Sequence, residues 1–149
     1  MITRDDVVPL LLAACPSFAA VWADLEHDPL VVEDDGTRLH YADAGRVADH
    51  LVGRFVAGDR VEVAAALAVV ERMHLEGDAY VRELATIGYL EDLQDAARRH
   101  PACAPEQLEP LLGAESLRWW RGLDAFWSGQ APTVLAQDDE PGSQRQTRT

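Results

Sequence analysis

The segment from Ala79 to about Arg99 constrains this chain most. On a helical wheel Val81, Leu84, Ala85, Ile87, Tyr89, Leu90 and Leu93 spread around most of the circumference. A helix that is apolar nearly all round has to be contacted on several sides, so it must run through the middle of a helical assembly. Inside it, Ala85-Thr86-Ile87-Gly88-Tyr89-Leu90-Glu91-Asp92-Leu93-Gln94 carries two residues that cost something there. Gly88 gives up to ~1 kcal/mol of helix propensity, which close packing of another element must offset. The wheel puts Glu91 between Leu84 and Ile87, partly buried and in need of a partner, with arginine or a hydroxyl expected.

The remaining periodicity supplies the helices that surround it. Tyr41, Ala44, Val47, Ala48, Leu51, Val52 and Phe55 share a face opposite Asp43, Arg46, His50 and Arg54. A helix from about Val61 to Leu75 follows, and the short Glu76-Gly77-Asp78 turn folds the central helix back antiparallel to it. Upstream, Thr3 is placed to cap a first helix ending near Ala14, with Asp5 and Asp6 at the positive end of its dipole. Pro16 opens a second helix, through Leu25. Asp-Gly between Leu30-Val31-Val32 and Thr37-Arg38-Leu39-His40 predicts a minor β-hairpin near residues 30–40. A short helix is expected over Glu106 to Leu112, then a last one over about Glu115 to Trp127 with Trp119, Trp120, Leu123, Phe126 and Trp127 on one stripe. Such a stripe reads as the face of a closing helix packed on the core. After Gly129 apolar residues become scarce, and 130–149 is expected to be a disordered tail. The expected architecture is all-α: one domain over 1–129, a bundle of about six helices or stacked helix pairs.

Charge then narrows the function. The chain of 149 residues has 26 acids against 13 bases, a formal −13, and every base is arginine. The absence of lysine excludes a Schiff-base or P-loop lysine. A surface that negative repels nucleic acid and anionic membranes and favours a basic protein partner. One acidic set is Asp24, Glu26, Asp28, Glu33, Asp34 and Asp35, and a second surrounds Glu76 and Asp78. Aligned carboxylates of this kind speed encounter and select a partner.

Catalytic patterns are weak. Glu71-Arg72-Met73-His74 has the E-x-x-H spacing that aims two ligands inward, but a di-metal bundle needs two such motifs and two more carboxylates. Folding back at Gly77 also leaves Glu91 roughly 10 Å along the axis from Glu71. No metal or cofactor is therefore expected. The five histidines are scattered, no serine has a nucleophile-elbow setting, and the two cysteines, Cys15 and Cys103, lack metal-type spacing. Leu12-Ala13-Ala14-Cys15 looks like a lipoprotein cleavage box, but Asp5 and Asp6 follow Arg4 where a basic start is wanted, and the apolar run is short. With no apolar stretch of ~18 residues, the chain reads as cytoplasmic.

The segments Ala65-Ala66-Leu67-Ala68-Val69-Val70-Glu71 and Ile87-Gly88-Tyr89-Leu90-Glu91, followed by the Trp119-to-Trp127 helix, resemble a small uncharacterised bacterial helical family. The resemblance spans about Val7 to Ser128 and makes Glu71, Gly88, Tyr89, Leu90 and Glu91 family-pattern positions. Proteins of that kind are similar to immunity proteins of bacterial toxin systems. The expectation is a non-catalytic, acidic interaction module that neutralises a basic toxin or enzyme. Two alternatives are an enzyme or small-ligand binder using an interhelical pocket of Glu71, His74 and Glu91, and a structural subunit of a larger assembly.

Overall fold

The computed structural model describes residues 1–28, 32–33 and 37–138. Among them are seven α-helices: α1 (Arg4–Ala14), α2 (Ala19–Leu25), α3 (His40–Val56), α4 (Arg60–Glu76), α5 (Ala79–Glu83), α6 (Glu91–Arg99) and α7 (Ala114–Trp127). The all-α expectation holds, and the helix expected from Ala79 to Arg99 exists as one unbroken rod. Its middle, however, is not α-helical. Leu84–Leu90 forms a π-helical segment between α5 and α6, a wide-turn geometry that is rare and concentrated at functional sites.

The rod is central, as its composition demanded. α3 lies along the π segment and α6, while α4 and α7 close over it from other directions. Leu84, Leu90, Leu93, Leu67, Met73, Trp120 and Leu123 are fully buried where these helices meet. The α4–α5 turn is pinned by the N-terminus. The Ile2 N–H donates to the Glu76 carbonyl at 2.8 Å, and the Asp78 N–H donates to the Ile2 carbonyl at 3.0 Å.

α1 is clasped at its start by Asp6, whose carboxylate accepts from the Thr3 backbone N–H at 2.9 Å. The chain then turns through 109° between α1 and the Pro16–Leu25 segment, with a 3₁₀ turn at Pro16–Phe18 before α2. Cys15 is buried at that corner. Among the described residues no single helix is long and apolar enough to cross a membrane.

Two expectations need correction, and a third gains detail. The hairpin near 30–40 reduces, among the described residues, to one antiparallel bridge between Val32 and Arg38; residues 29–31 and 34–36 lie outside them. What holds this piece is a side chain rather than a strand ladder, consistent with the marginal stability of isolated strand pairs. Arg38 makes a bidentate pair with buried Asp43 at 2.6 and 2.8 Å. It also donates to the Leu25 and Glu26 carbonyls and stacks 4.0 Å over the Trp22 ring. The short helix expected over 106–112 is present as a 3₁₀ helix, Pro105–Leu111; Pro110 lacks the N–H that an α-turn needs there. Finally, residues 130–138, expected in the tail, lie along α7 as a strap. Val134 packs on the core, and the Gln137 N–H donates to the Arg118 carbonyl at 2.8 Å. Gly122 permits the crossing, because a Cβ there would collide with the Leu135 carbonyl oxygen. Residues 139–149 lie outside the described residues.

Candidate functional site

Glu71 and His74 do come together, and their contacts explain the E-x-x-H spacing without a metal. Spaced by three on α4, both point toward the start of α7. The two Glu71 carboxylate oxygens accept from the backbone N–H groups of Glu115 at 3.0 Å and Ser116 at 2.8 Å. Glu71 therefore caps α7 from another helix, the task that Gly113 at the N-cap has no side chain to perform. Gly113 must be glycine for this, since a Cβ would collide with the Glu71 carboxyl carbon. Burial would raise the Glu71 carboxyl. The Ser116 and Glu115 backbone donors and the Ser116 hydroxyl outweigh it, and the group sits below the ordinary carboxylate value.

His74 is 7% exposed, and burial lowers its pKa, which favours the neutral ring. Its Nδ1 lies 3.1 Å from the Val70 carbonyl and 3.2 Å from the Ser116 hydroxyl. The other nitrogen, Nε2, lies 2.9 Å from the Thr86 hydroxyl. Nδ1–H donating to Val70 leaves Nε2 to accept from Thr86. The expected trio of Glu71, His74 and Glu91 is thus replaced by Glu71, His74, Ser116 and Thr86. Among the described residues no group of three or more His, Cys, Asp or Glu side chains is arranged to hold a metal.

The π segment accounts for the rest of the motif. Gly88 faces α3: a Cβ would lie 3.4 Å from Ala44 Cβ and Tyr41 Cδ1, and 2.9 Å from Leu84 Cδ1. The close approach inferred from the sequence is therefore present, and α3 is the element that approaches. Tyr89 and Leu90 are core residues, and burial pushes the Tyr89 phenol up. The wide turn also dissolves the face that the wheel assigned to Leu84, Ile87 and Glu91. Leu84 is fully buried and Ile87 is 36% exposed. Glu91 is half-buried and accepts from the Trp127 indole N–H at 3.4 Å, so its hydrogen-bond partner is neither arginine nor hydroxyl, although Arg98 is near enough to act on its charge. Burial raises its pKa, the bond to Trp127 opposes this, and Asp95 adds to it.

The tryptophan stripe divides. Trp120 and Leu123 are core, whereas Trp119 is half-buried and Trp127 is 59% exposed. Trp127 packs edge-on against Phe126, with ring centroids 5.1 Å apart. It borders a broad depression shared with Asp95, Arg98, Glu106, Arg121 and Asp124. Beyond Glu91 lies a groove between α3 and α6 lined by Gly45, Asp49, Asp92, Asp95, Arg98 and Arg99. Asp92 is pushed up to about 6 by burial, then by Asp95, Glu91 and Asp49. Asp124 is raised as well, chiefly by burial. Arg98 and Arg99 offset part of this crowding, through Asp95 at 3.0 Å and Asp49 at 3.3 Å.

The two acidic sets read from the sequence fare differently. Asp24, Glu26 and Glu33 are exposed and Asp28 is half-buried; Asp34 and Asp35 lie outside the described residues. Of the second set, Asp78 caps α5 by accepting from the Val81 N–H at 2.9 Å. Glu76 is bonded to Arg72 at 2.8 Å. Sequence reasoning missed Thr86, Ser116 and Asp92. Ser116 carried a signal, a small polar residue in the first turn of a helix whose N-cap is glycine. Asp92 carried none, because its crowding comes partly from α3.

The folded core and its motif coincide with a family. The model of a domain of unknown function, DUF7674, matches residues 8–128, and the chain belongs to that family. The match takes in the Glu71 cap, the π segment and all of α7. Neither a curated protein nor a solved structure gives a significant match.

Proposed function

We propose that this protein is a non-catalytic interaction module that docks a basic protein partner, in the manner of an immunity protein masking a bacterial toxin or enzyme in the cytoplasm. One observation carries the reading: an exposed tryptophan beside a cluster in which carboxylates outnumber the arginines, Glu91, Asp95, Glu106 and Asp124 against Arg98 and Arg121. Trp127 is 59% exposed, bonded to Glu91, and shares its depression with Asp95 and Asp124. Tryptophans in such positions dominate binding energy when a partner covers them. The crowded carboxylates around it would be relieved by incoming arginine or lysine, which adds selectivity and encounter rate. This moves the expected docking surface from the Glu76 turn to the α6–α7 face. Asp24, Glu26 and Glu33 on the α2 side form a second acidic edge.

The test is capture of the product of the adjacent gene by the full chain, at two ionic strengths. Binding should weaken at least about tenfold between ~50 and ~300 mM salt. It should fall by two orders of magnitude or so in Trp127→Ala, and by less in Asp95→Asn. Binding that ignores both salt and Trp127→Ala would remove this reading. Comparing Glu26→Gln with Asp95→Asn shows which acidic edge the partner meets.

A further inference from the structure

A separate cavity of about 490 Å³ opens between the π segment, α4, α7 and the C-terminal strap. It lies within the ~300–1,000 Å³ range of small-molecule sites. The wall it presents is mainly apolar, with Ile87 from the rod, Trp119 from α7 and Val134 from the strap. His74 and Thr86 line it too, but their polar atoms are already spent. His74 Nε2 and the Thr86 hydroxyl lie 2.9 Å apart, and Nδ1 is held by Val70 and Ser116. The charged members, Arg82, Glu83 and Glu115, are balanced and committed as well. Glu83 accepts from the Tyr41 hydroxyl and adjoins Arg82, whose Nε donates to the Gly77 carbonyl at 2.8 Å. Glu115 is bonded to Arg118 at 2.6 Å.

We propose that this cavity binds a neutral, largely apolar small molecule carrying an aromatic ring. What the lining leaves uncommitted makes the selection. An entering ion of either sign would give up hydration and find no spare counter-charge, and burying a charge without a partner is costly. A molecule rich in hydrogen-bonding groups fares little better against side chains that are already satisfied. A neutral apolar body loses little on leaving water. It gains by covering Ile87, which keeps 36% of its surface exposed, and the half-buried Trp119 indole. The indole favours an aromatic ring over an aliphatic chain of similar area. Val134 couples the site to the strap, which is tied down by the Gln137 N–H on the Arg118 carbonyl and by Arg118 on Asp138 at 3.1 Å. A ligand touching rod and strap together holds the strap in place by mass action. The cavity shares no lining residue with the Trp127 depression, so each reading can fail alone.

The experiment uses the full chain and three probes with one body: 2-phenylethanol, 2-phenylethylammonium and phenylacetate. Methyl NMR of Thr86, Ile87 and Val134 reports occupancy, calorimetry reports affinity, and amide exchange at Gln137 reports the strap. The alcohol should shift all three methyls saturably and bind about tenfold or more tighter than either ion. Near saturation it should slow exchange at Gln137 several-fold. Ile87→Phe and Val134→Phe fill the cavity from the rod and from the strap. Each should weaken the alcohol about tenfold or more while leaving the core methyls of Leu67 and Val70 in place. The proposal is overturned if either ion binds as well as the alcohol or if the alcohol leaves these three methyls unmoved. It is equally overturned if both filled variants bind the alcohol like the native chain, or if the bound alcohol leaves Gln137 exchange unchanged.

Discussion

Glu71 shows how a single side chain can look catalytic and be architectural. It satisfies two of the N–H groups that open α7, donors that the N-cap Gly113 has no side chain to reach. Glu71→Ala should cost about 1–3 kcal/mol, read from denaturant unfolding near neutral pH, because it leaves those donors unpaired. The pH dependence has a definite sign. The folded pKa is lowered, so the contribution is complete above the ordinary carboxylate value and is lost as pH falls through the folded one. The gap between native chain and variant should therefore narrow in acid. Asp92 behaves in the opposite sense. Its folded value of about 6 against 3.8 means stability falls as pH rises through that window and stays level above it. Asp92→Asn should stabilise the protein above pH 6, on the order of 1 kcal/mol after solvent screening, and do little below the ordinary aspartate value. Thermal melts at several pH values decide this; a destabilised variant near neutrality would refute it.

At the scale of elements, the helices were legible because apolar spacing reports which face is covered. The central rod followed from a composition that only an enclosed helix can satisfy, and Gly88 marked the approach of α3. Three features lay beyond that logic. A π turn changes the hydrogen-bond span of the backbone without changing the residues that form it, so the wheel placed Glu91 on a face that does not exist. Trp127 continues the stripe of Trp120 and Leu123, but no spacing rule says where the covering helices end. The strap over 130–138 depends on Gly122, whose meaning is visible only once the Leu135 backbone lies against it. Gly122→Ala should dislodge the strap, since backbone cannot rotate away as a side chain can. The expected result is faster proteolysis after Gly129 and lost amide protection at Gln137, with the helical signal retained. Unchanged protection would show that the crossing is not tight.

Across the whole molecule, charge works against compactness while serving recognition. With 26 acids and 13 arginines, several arginines are drawn into local pairs, as Arg38 with Asp43 and Arg72 with Glu76. The excess is left to repel itself. The melting temperature should accordingly rise by a few degrees between ~20 and ~200 mM salt, as screening shortens the range of that repulsion. A fall with salt would mean that the local pairs outweigh it. The same condition that stabilises the free protein should weaken its proposed complex, so the two effects separate in one titration.

The π segment also bears on how relatives of this chain should be matched to it. A wide turn is one residue inserted into an otherwise ordinary helix, a single codon in the gene. On its N-terminal side the helix keeps one phase and turns Arg82 and Glu83 to the cavity. On its C-terminal side it keeps another and turns Glu91, Asp92 and Asp95 to the outer face. A relative with a plain α-helix here would therefore align only if a one-residue gap were opened between Leu84 and Leu90. An ungapped comparison would set half of the rod against the wrong surface.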